Sequence, residues 1–275
     1  METSTMLEIL SYPFMQRAIW ATLLVGTLAS FFSVFIVQRK MSFVGNGLAH
    51  ASFGGVALAL LIGVSPFWIA TPFTIAVALL FVWFSKNSKL ESDSLIGVLF
   101  SVAMALGIIF LSWRSTYSQD AMSLLFGSIL AVSEEDLFWA LGLLLISILT
   151  LPLWSRWAFS TFDRELAAIE KKNSSSHDYL LAVFIASTIV VAIKVFGIIL
   201  LSAFLVIPAA SARLISKTFS GMTVKSIILG LGSSFAGIFL SYLCDLPTGA
   251  TIILVMGFVF GLCFVSSKLF TTIHR

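Results

Sequence analysis

Nine apolar stretches dominate this sequence, and each is long enough to cross a lipid bilayer as a helix. A transmembrane helix needs about 20 mainly apolar residues, and inside lipid it satisfies its own backbone hydrogen bonds. The sequence therefore predicts an all-α, polytopic transmembrane helical bundle with eight or nine spans, formed as a single domain over residues 1–275. The stretches lie at about 18–37, 43–63, 67–84, 94–112, 137–154, 179–195, 196–212, 222–242 and 249–267.

The composition excludes a soluble globular domain. Hydrophobic residues make up 59% of the chain and charged residues only 11%, whereas soluble domains carry roughly 25% charged residues. Acidic Glu2 and Glu8 precede the first stretch, and no small-residue cleavage signature follows it. The stretch 18–37 is therefore interpreted as a retained span and not as a signal peptide.

The basic residues are distributed unequally between the predicted loops. If the N-terminus is outside, the inner loops contain 13 of the 16 basic residues and the outer loops only Arg17, Arg114 and Lys194. Short cytoplasmic loops are enriched in Lys and Arg. The distribution therefore predicts a cytoplasmic C-terminus and an outer N-terminus.

His50 is an ionisable residue inside the second stretch, and Asn46 lies four residues before it. Residues four apart share one face of a helix. An imidazole is the commonest protein ligand of transition metals, and an amide oxygen can add a weak ligand, so the pair is a candidate metal site. Such a site needs further ligands from other helices, a second copy of the chain or water. The alternative is a histidine that is hydrogen-bonded to a facing helix and serves packing only.

Three further residues are candidates for a path or gate. Pro208 lies deep in the seventh stretch, near Ser202, and a proline there is expected to kink the helix. The kink either lines a path and bends during gating, or is static. Asp245 lies on a tight turn at the predicted outer mouth and is a gate candidate.

Two segments are predicted to be shorter helices. Phe162–Glu170 combines helix formers with a mixed-charge face, which is typical of an amphipathic helix at the cytoplasmic surface. Such a helix either rests on the bilayer or docks another protein. Ala121–Val132 is too short to span and predicts a re-entrant or interfacial helix.

The motifs of the common hydrolases are missing from this sequence. There is no Gly-Lys dipeptide, so a nucleotide-binding P-loop is excluded, and neither Gly-x-Ser-x-Gly nor His-Glu-x-x-His occurs. An intramembrane enzyme needs paired catalytic groups, and these stretches lack them. A transporter driven by an ion gradient is the alternative; it is expected to have acidic residues at mid-membrane, and none lies inside the stretches. We therefore expect a transport subunit and not an enzyme, with any ATP hydrolysis on a separate polypeptide.

Several motifs together resemble the membrane permeases of bacterial ABC importers for zinc, manganese and iron(II), most of all the zinc-uptake permeases. The similarity covers nearly the whole chain. Arg39–Ala51 is similar to the second-helix signature of that family, in which an aspartate occupies the position of Asn46. The other matching motifs are Asp93–Gly97, Leu125–Val132 (with Ser128 at another aspartate position), Ile207–Arg213 and Asp245–Ala250.

The resemblance implies a homodimeric permease in the bacterial inner membrane, working by alternating access with a path at the dimer interface. The implied partners are a cytoplasmic ABC ATPase, an extracytoplasmic metal-binding protein, a second copy of the chain and the bilayer, but no nucleic acid. No permanently bound cofactor is expected, and zinc, or alternatively manganese or iron(II), is the implied substrate. His50 and Asn46 would lie on the metal path. Residues 160–172 would form the coupling helix that contacts the ATPase, with the contacts made by Phe162, Asp163, Glu165, Leu166 and Ala167.

Overall fold

The computed structural model describes residues 12–113, 127, 132–162 and 174–273, and within these ranges it contains helices and no strands. Elements are numbered here in chain order. The helices are α1 Pro13–Gln38, α2 Ser42–Ile62, α3 Pro66–Asn87, α4 Ser92–Ser112, α5 Glu134–Leu149, α6 Trp154–Phe162, α7 Ser174–Phe196, α8 Ile198–Phe204, α9 Ile207–Leu214, α10 Phe219–Cys244 and α11 Thr248–Ile273, with a 3₁₀ turn at Leu151–Leu153.

Seven of these helices are long and apolar enough to cross a membrane, namely α1, α2, α3, α4, α7, α10 and α11. Helices α5 and α6 form an eighth span if they are counted together, although they bend by 47° at the turn between them. The all-helical class is confirmed, but the prediction of eight or nine spans is confirmed only in part. In the described ranges the stretch 196–212 does not form one span.

The stretch 196–212 is divided into the two short helices α8 and α9. Gly197 precedes α8 with a φ of 76°, a conformation that suits glycine. Val206 separates α8 from α9, and Pro208 lies in the first turn of α9. Proline is favoured in a first turn because the backbone N–H there has no partner within the helix. The kink predicted at Pro208 takes the form of a break between α8 and α9 just before it, and a role of Pro208 in a path or gate stays a prediction.

Helices α1, α2 and α7 form the centre of the bundle, where most of their residues are buried. Helix α1 contacts α10 through small polar residues: Ser226 Oγ donates to the backbone oxygen of Ser30 at 2.8 Å and lies 3.3 Å from Ser33 Oγ. A Cβ added to Gly230 would collide with Ser30 Oγ. Small residues allow helices in lipid to approach closely, and this seam fixes α10 against α1.

Glycines also hold α2 tightly between α3 and α4. A Cβ on Gly47 would collide with Ile96 of α4, and one on Gly54 would lie 2.5 Å from the backbone oxygen of Ala103. A Cβ on Gly55 would lie 2.7 Å from the Cα of Ala70 in α3. The helix that carries Asn46 and His50 is therefore positioned by backbone-to-helix contact on two sides.

Ion pairs mark the two ends of the bundle. At one end, Arg39 and Lys86 both contact Asp178, with shortest N–O distances of 2.8 and 3.3 Å. This end, called the Arg39 end below, joins the C-termini of α1 and α3 to the start of α7. At the opposite end Lys194 of α7 contacts Asp136 of α5 at 2.8 Å, and Asp136 and Ser133 form a capping box that begins α5.

Candidate metal path

Asn46 and His50 lie one turn apart in α2, in the half nearer the Arg39 end. Both side chains are half-buried. The imidazole of His50 lies beside the ring of Phe100 of α4, with 6.0 Å between ring centroids and 39° between planes. The Phe100 ring also contacts Phe43, at 6.5 Å. An aromatic side chain therefore packs against the ring of His50 on its α4 side.

The side-chain oxygen of Asn46 is the unusual atom of this region. Asn46 Oδ1 is buried and accepts no hydrogen bond from any described residue. A buried polar atom without a partner costs about 1–3 kcal/mol, and most such atoms are paired in folded proteins. An oxygen that is buried and unpaired, one turn from an imidazole, is suited to accept a ligand such as a cation.

One chain does not complete a metal site in the part of the structure that is described. No group of three or more His, Cys, Asp or Glu side chains lies together there. The available donors are one imidazole nitrogen and one amide oxygen, whereas zinc usually takes four ligands. Further ligands would have to come from water, from another polypeptide or from residues outside the described ranges.

The break between α8 and α9 lies against the start of the same helix. Leu205 Cδ1 is 3.5 Å from the position that a Cβ on Gly45 would occupy, and Gly45 directly precedes Asn46. Helix α8 packs against α2. Sequence reasoning missed this proximity, and the only signal for it was the glycine next to Asn46.

The predicted path and gate residues lie in different parts of the bundle. Ser202 is half-buried in α8. Pro208 is buried, and its Cβ is 3.5 Å from the position of a Cβ on Gly230 in α10. Asp245 is exposed and ends α10 in a left-handed conformation with a φ of 52°. Helix α10 begins at the Arg39 end, so Asp245 lies at the other end and is not brought together with His50.

The predicted coupling helix is described only at its start. Phe162 ends α6, is 60% exposed and lies edge-on to Phe219 of α10 at 5.4 Å. Trp157 anchors α6 in the bundle, since it is 1% exposed and contacts Phe35 at 5.9 Å. Asp163, Glu165, Leu166 and Ala167 lie outside the described residues, as does the rest of 163–172.

Gly127 and Val132 are the described residues of the predicted outer motif Leu125–Val132, and Gly127 shows how the motif meets the bundle. Its φ is 72°, and a Cβ there would lie 2.5 Å from the carbonyl carbon of Phe196. Gly127 therefore contacts the backbone at the junction of α7 and α8. The remaining residues of 121–131, for which a re-entrant or interfacial helix was predicted, lie outside the described residues.

Known proteins resemble this chain in family and in sequence. The model of the ABC 3 transport family matches residues 11–267. The manganese transport system membrane protein MntC of Halalkalibacterium halodurans is 35% identical over 261 residues, which cover 94% of this chain and 89% of that protein. The high-affinity zinc uptake system membrane protein ZnuB of Haemophilus influenzae is 30% identical over 230 residues, 83% of this chain and 88% of that protein.

A solved structure has a similar fold. The structure described as PsaBC from Streptococcus pneumoniae in complex with Fab superimposes with a TM-score of 0.85 at 31% sequence identity, and the match covers 96% of this chain and 95% of that one. Family, relatives and fold agree over nearly the whole length. The chain belongs to the ABC 3 transport family, as a membrane permease subunit and not an enzyme.

Proposed function

We propose that this protein is the permease of an ATP-driven importer that moves a divalent transition-metal ion across the bacterial inner membrane into the cytoplasm. The observation that carries the proposal is the buried, unpaired Oδ1 of Asn46 one turn from the imidazole of His50. This donor pair lies on a helix that packs closely against α3 and α4. The relatives named as manganese and zinc permeases support the same conclusion.

We propose zinc as the transported metal. An imidazole without a neighbouring carboxylate favours a borderline ion such as zinc over manganese, which prefers carboxylate and water ligands. Manganese is the second candidate, because MntC and several further relatives are named for manganese transport. Iron(II) was an alternative of the sequence-based interpretation, and no structural observation favours it.

The ligand count supports a homodimer with the metal path at its interface. A single chain offers two donors in the described region, and a second copy related by a twofold axis supplies the same pair again. Two imidazoles and two amide oxygens equal the usual number of zinc ligands. A carboxylate is absent at the Asn46 position, so we infer that the site holds the ion weakly and transiently.

The remaining assignments follow from this proposal. An ABC ATPase is inferred to bind from the cytoplasm at residues 160–172, and a metal-binding protein to dock on the outer side. The Arg39 end is inferred to be cytoplasmic, with the C-terminus inside and the N-terminus outside. Ser202, Pro208 and Asp245 are proposed as path or gate residues, with Asp245 confined to the outer mouth.

Uptake of radioactive zinc and manganese by metal-starved cells tests the proposed function. The cells carry the permease with its ATPase and metal-binding protein, or with an ATPase variant that binds but does not hydrolyse ATP. We expect zinc uptake to exceed manganese uptake at equal concentration and to stop with the inactive ATPase. Uptake that persists without ATP hydrolysis but collapses with the ion gradient would instead assign a secondary transporter.

A further inference from the structure

We propose that Arg39 is a positioning residue that mechanically couples the predicted ATPase-docking segment to the helix of the metal path. This inference rests on the proposed function, because it assigns Arg39 a role between the two sites of the importer. Arg39 occupies the C-cap of α1, three residues before α2 begins. Its guanidinium reaches the elements on both sides of the segment 163–173.

Among the described residues, the guanidinium of Arg39 donates hydrogen bonds to the side chains of Thr161, Ser160 and Asp178. Its Nε donates to Thr161 Oγ1 at 2.9 Å and its Nη2 to Ser160 Oγ at 3.0 Å, both at the end of α6. Its Nη1 donates to Asp178 Oδ1 at 2.8 Å, near the start of α7. One planar group therefore holds together the end of α6, the start of α7 and the end of α1.

The hydroxyl acceptors of α6 are oriented toward Arg39 by their own hydrogen bonds. The hydroxyls of Ser160 and Thr161 both donate to the backbone oxygen of Trp157, at 3.1 and 2.6 Å. A hydroxyl has one proton, so each oxygen then presents only lone pairs toward Arg39. Trp157 is itself buried among aromatic rings of α1 and α7, which fixes the position of both acceptors.

The contact is buried and charged. The Arg39 side chain is 7% exposed and that of Asp178 22%. Lys86 of α3 binds the second oxygen of Asp178 at 3.3 Å, and its Nζ lies 4.8 Å from the ring centre of Tyr179. Breaking a buried pair by removing one partner is costly because the other charge stays uncompensated. We therefore expect the ends of α3 and α6 and the start of α7 to shift together with Arg39.

The connection from Arg39 to the metal path is short and stiff. The N–H of Lys40 donates to the oxygen of Val37 and that of Met41 to Ile36, which is the double hydrogen bond of a Schellman turn. Lys40 adopts the left-handed conformation that this turn requires, with a φ of 56°. Since α2 begins at Ser42, movement of Arg39 is transmitted to α2 through only two residues, Lys40 and Met41. Asn46 lies in the second turn of that helix.

Lysine is the informative replacement for Arg39. It keeps the charge, but a single ammonium group cannot reproduce the fork of donors that binds three acceptors. Asp178→Asn removes the charge of the partner at nearly constant size. Thr161→Val removes one of the two contacts to α6 and leaves those with Ser160 and Asp178, so it remains informative if Arg39→Lys does not fold.

The experiment measures metal transported per ATP hydrolysed in proteoliposomes that contain the permease, its ATPase and the metal-loaded binding protein. Coupling between two sites typically changes an equilibrium by about 5–150-fold, so we expect Arg39→Lys and Asp178→Asn each to lower this ratio about fivefold or more. Basal ATP hydrolysis and assembly of the complex are expected to stay as in the wild type. The double variant is expected to lose less than the two single losses combined, because both changes break the Arg39–Asp178 contact that they share. Thr161→Val is expected to lower the ratio less.

The matched control is Arg156→Lys, the same exchange at an exposed position of α6, which should leave the ratio unchanged. A wild-type ratio of metal transported to ATP hydrolysed in Arg39→Lys, Asp178→Asn and Thr161→Val would overturn the inference and leave the proposed function intact. Loss of assembly in all three would also overturn it, since the role would then be structural only. A wild-type complex that hydrolyses ATP without moving metal would refute the proposed function itself.

Discussion

The amide oxygen of Asn46 is buried, and no described group donates a hydrogen bond to it. This combination is unfavourable for a residue that serves packing only. The neighbouring His50 is half-buried against Phe100. The four-residue spacing correctly indicated that both lie on one helix, α2. The unpaired oxygen could not be predicted, because hydrogen bonding depends on which side chains face the helix in the folded bundle.

Asn46→Asp tests whether this oxygen is available to a metal. A carboxylate without a partner at a buried position should destabilise the protein by several kcal/mol, and a bound divalent ion should offset that cost. We expect a lower melting temperature than the wild type in metal-free detergent solution. We also expect zinc to raise the melting temperature of Asn46→Asp by more than it raises that of the wild type. Intrinsic fluorescence measures both melting temperatures.

The control is Asn87→Asp, the same exchange at an exposed position at the end of α3. A charge there should change stability by only about 0.3–1 kcal/mol, with no dependence on metal. If zinc stabilises Asn46→Asp no more than the wild type, the oxygen of residue 46 is not a metal ligand.

At the scale of elements, the length and polarity of the apolar stretches were sufficient to predict helices. They were insufficient to show that 196–212 forms two short helices, because a proline in an apolar stretch is compatible with a kink and with a new first turn. The arrangement is decided by Gly197, whose positive φ separates α7 from α8, and by its neighbour in space, Gly127.

Gly127→Ala should therefore destabilise the protein by more than the cost of a positive φ at alanine, because the added Cβ also collides with neighbouring atoms. The added Cβ must displace backbone atoms of Phe196 and Gly197, and such overpacking typically costs about 1–3 kcal/mol. The matched control is Gly63→Ala, which also has a positive φ, of 81°, but whose added Cβ meets nothing within 4 Å. The free energy of unfolding of Gly63→Ala should therefore fall only by the cost of placing a non-glycine residue in the left-handed conformation, about 1–2 kcal/mol. The two variants are compared by their melting temperatures in detergent. Equal decreases would contradict the close contact of Gly127 with the backbone of Phe196 and Gly197.

At the scale of the whole molecule, the sequence predicted the class and the family, because both depend on patterns along the chain. The contacts that join distant segments could not be predicted. Arg39 caps the end of α1 and Asp178 lies in α7, and neither has a local signal that identifies the other. Asp245 shows the same limit: its turn was predicted, whereas its distance from His50 depends on the length and direction of α10.

The two cysteines of the chain test the proposed orientation. Cys244 is exposed at the end of α10, opposite the Arg39 end, and Cys263 is buried in α11. A membrane-impermeant maleimide added to intact spheroplasts should label the wild type, and Cys244→Ser should remove the label. Labelling of Cys244 only after the membrane is opened would show that the orientation is the opposite of the one proposed.

ATP-driven zinc transport by the His50→Ala variant tests most directly whether His50 lies on the metal path. Purified complexes of the permease, its ATPase and its metal-binding protein are placed in proteoliposomes, and zinc entry is measured for the wild type, His50→Ala and the control His177→Ala. We predict that the wild type and His177→Ala transport zinc, whereas His50→Ala still hydrolyses ATP but transports at least about tenfold less, equivalent to about 1.4 kcal/mol. Unchanged zinc entry in a folded His50→Ala complex would contradict the metal path and leave His50 a packing residue.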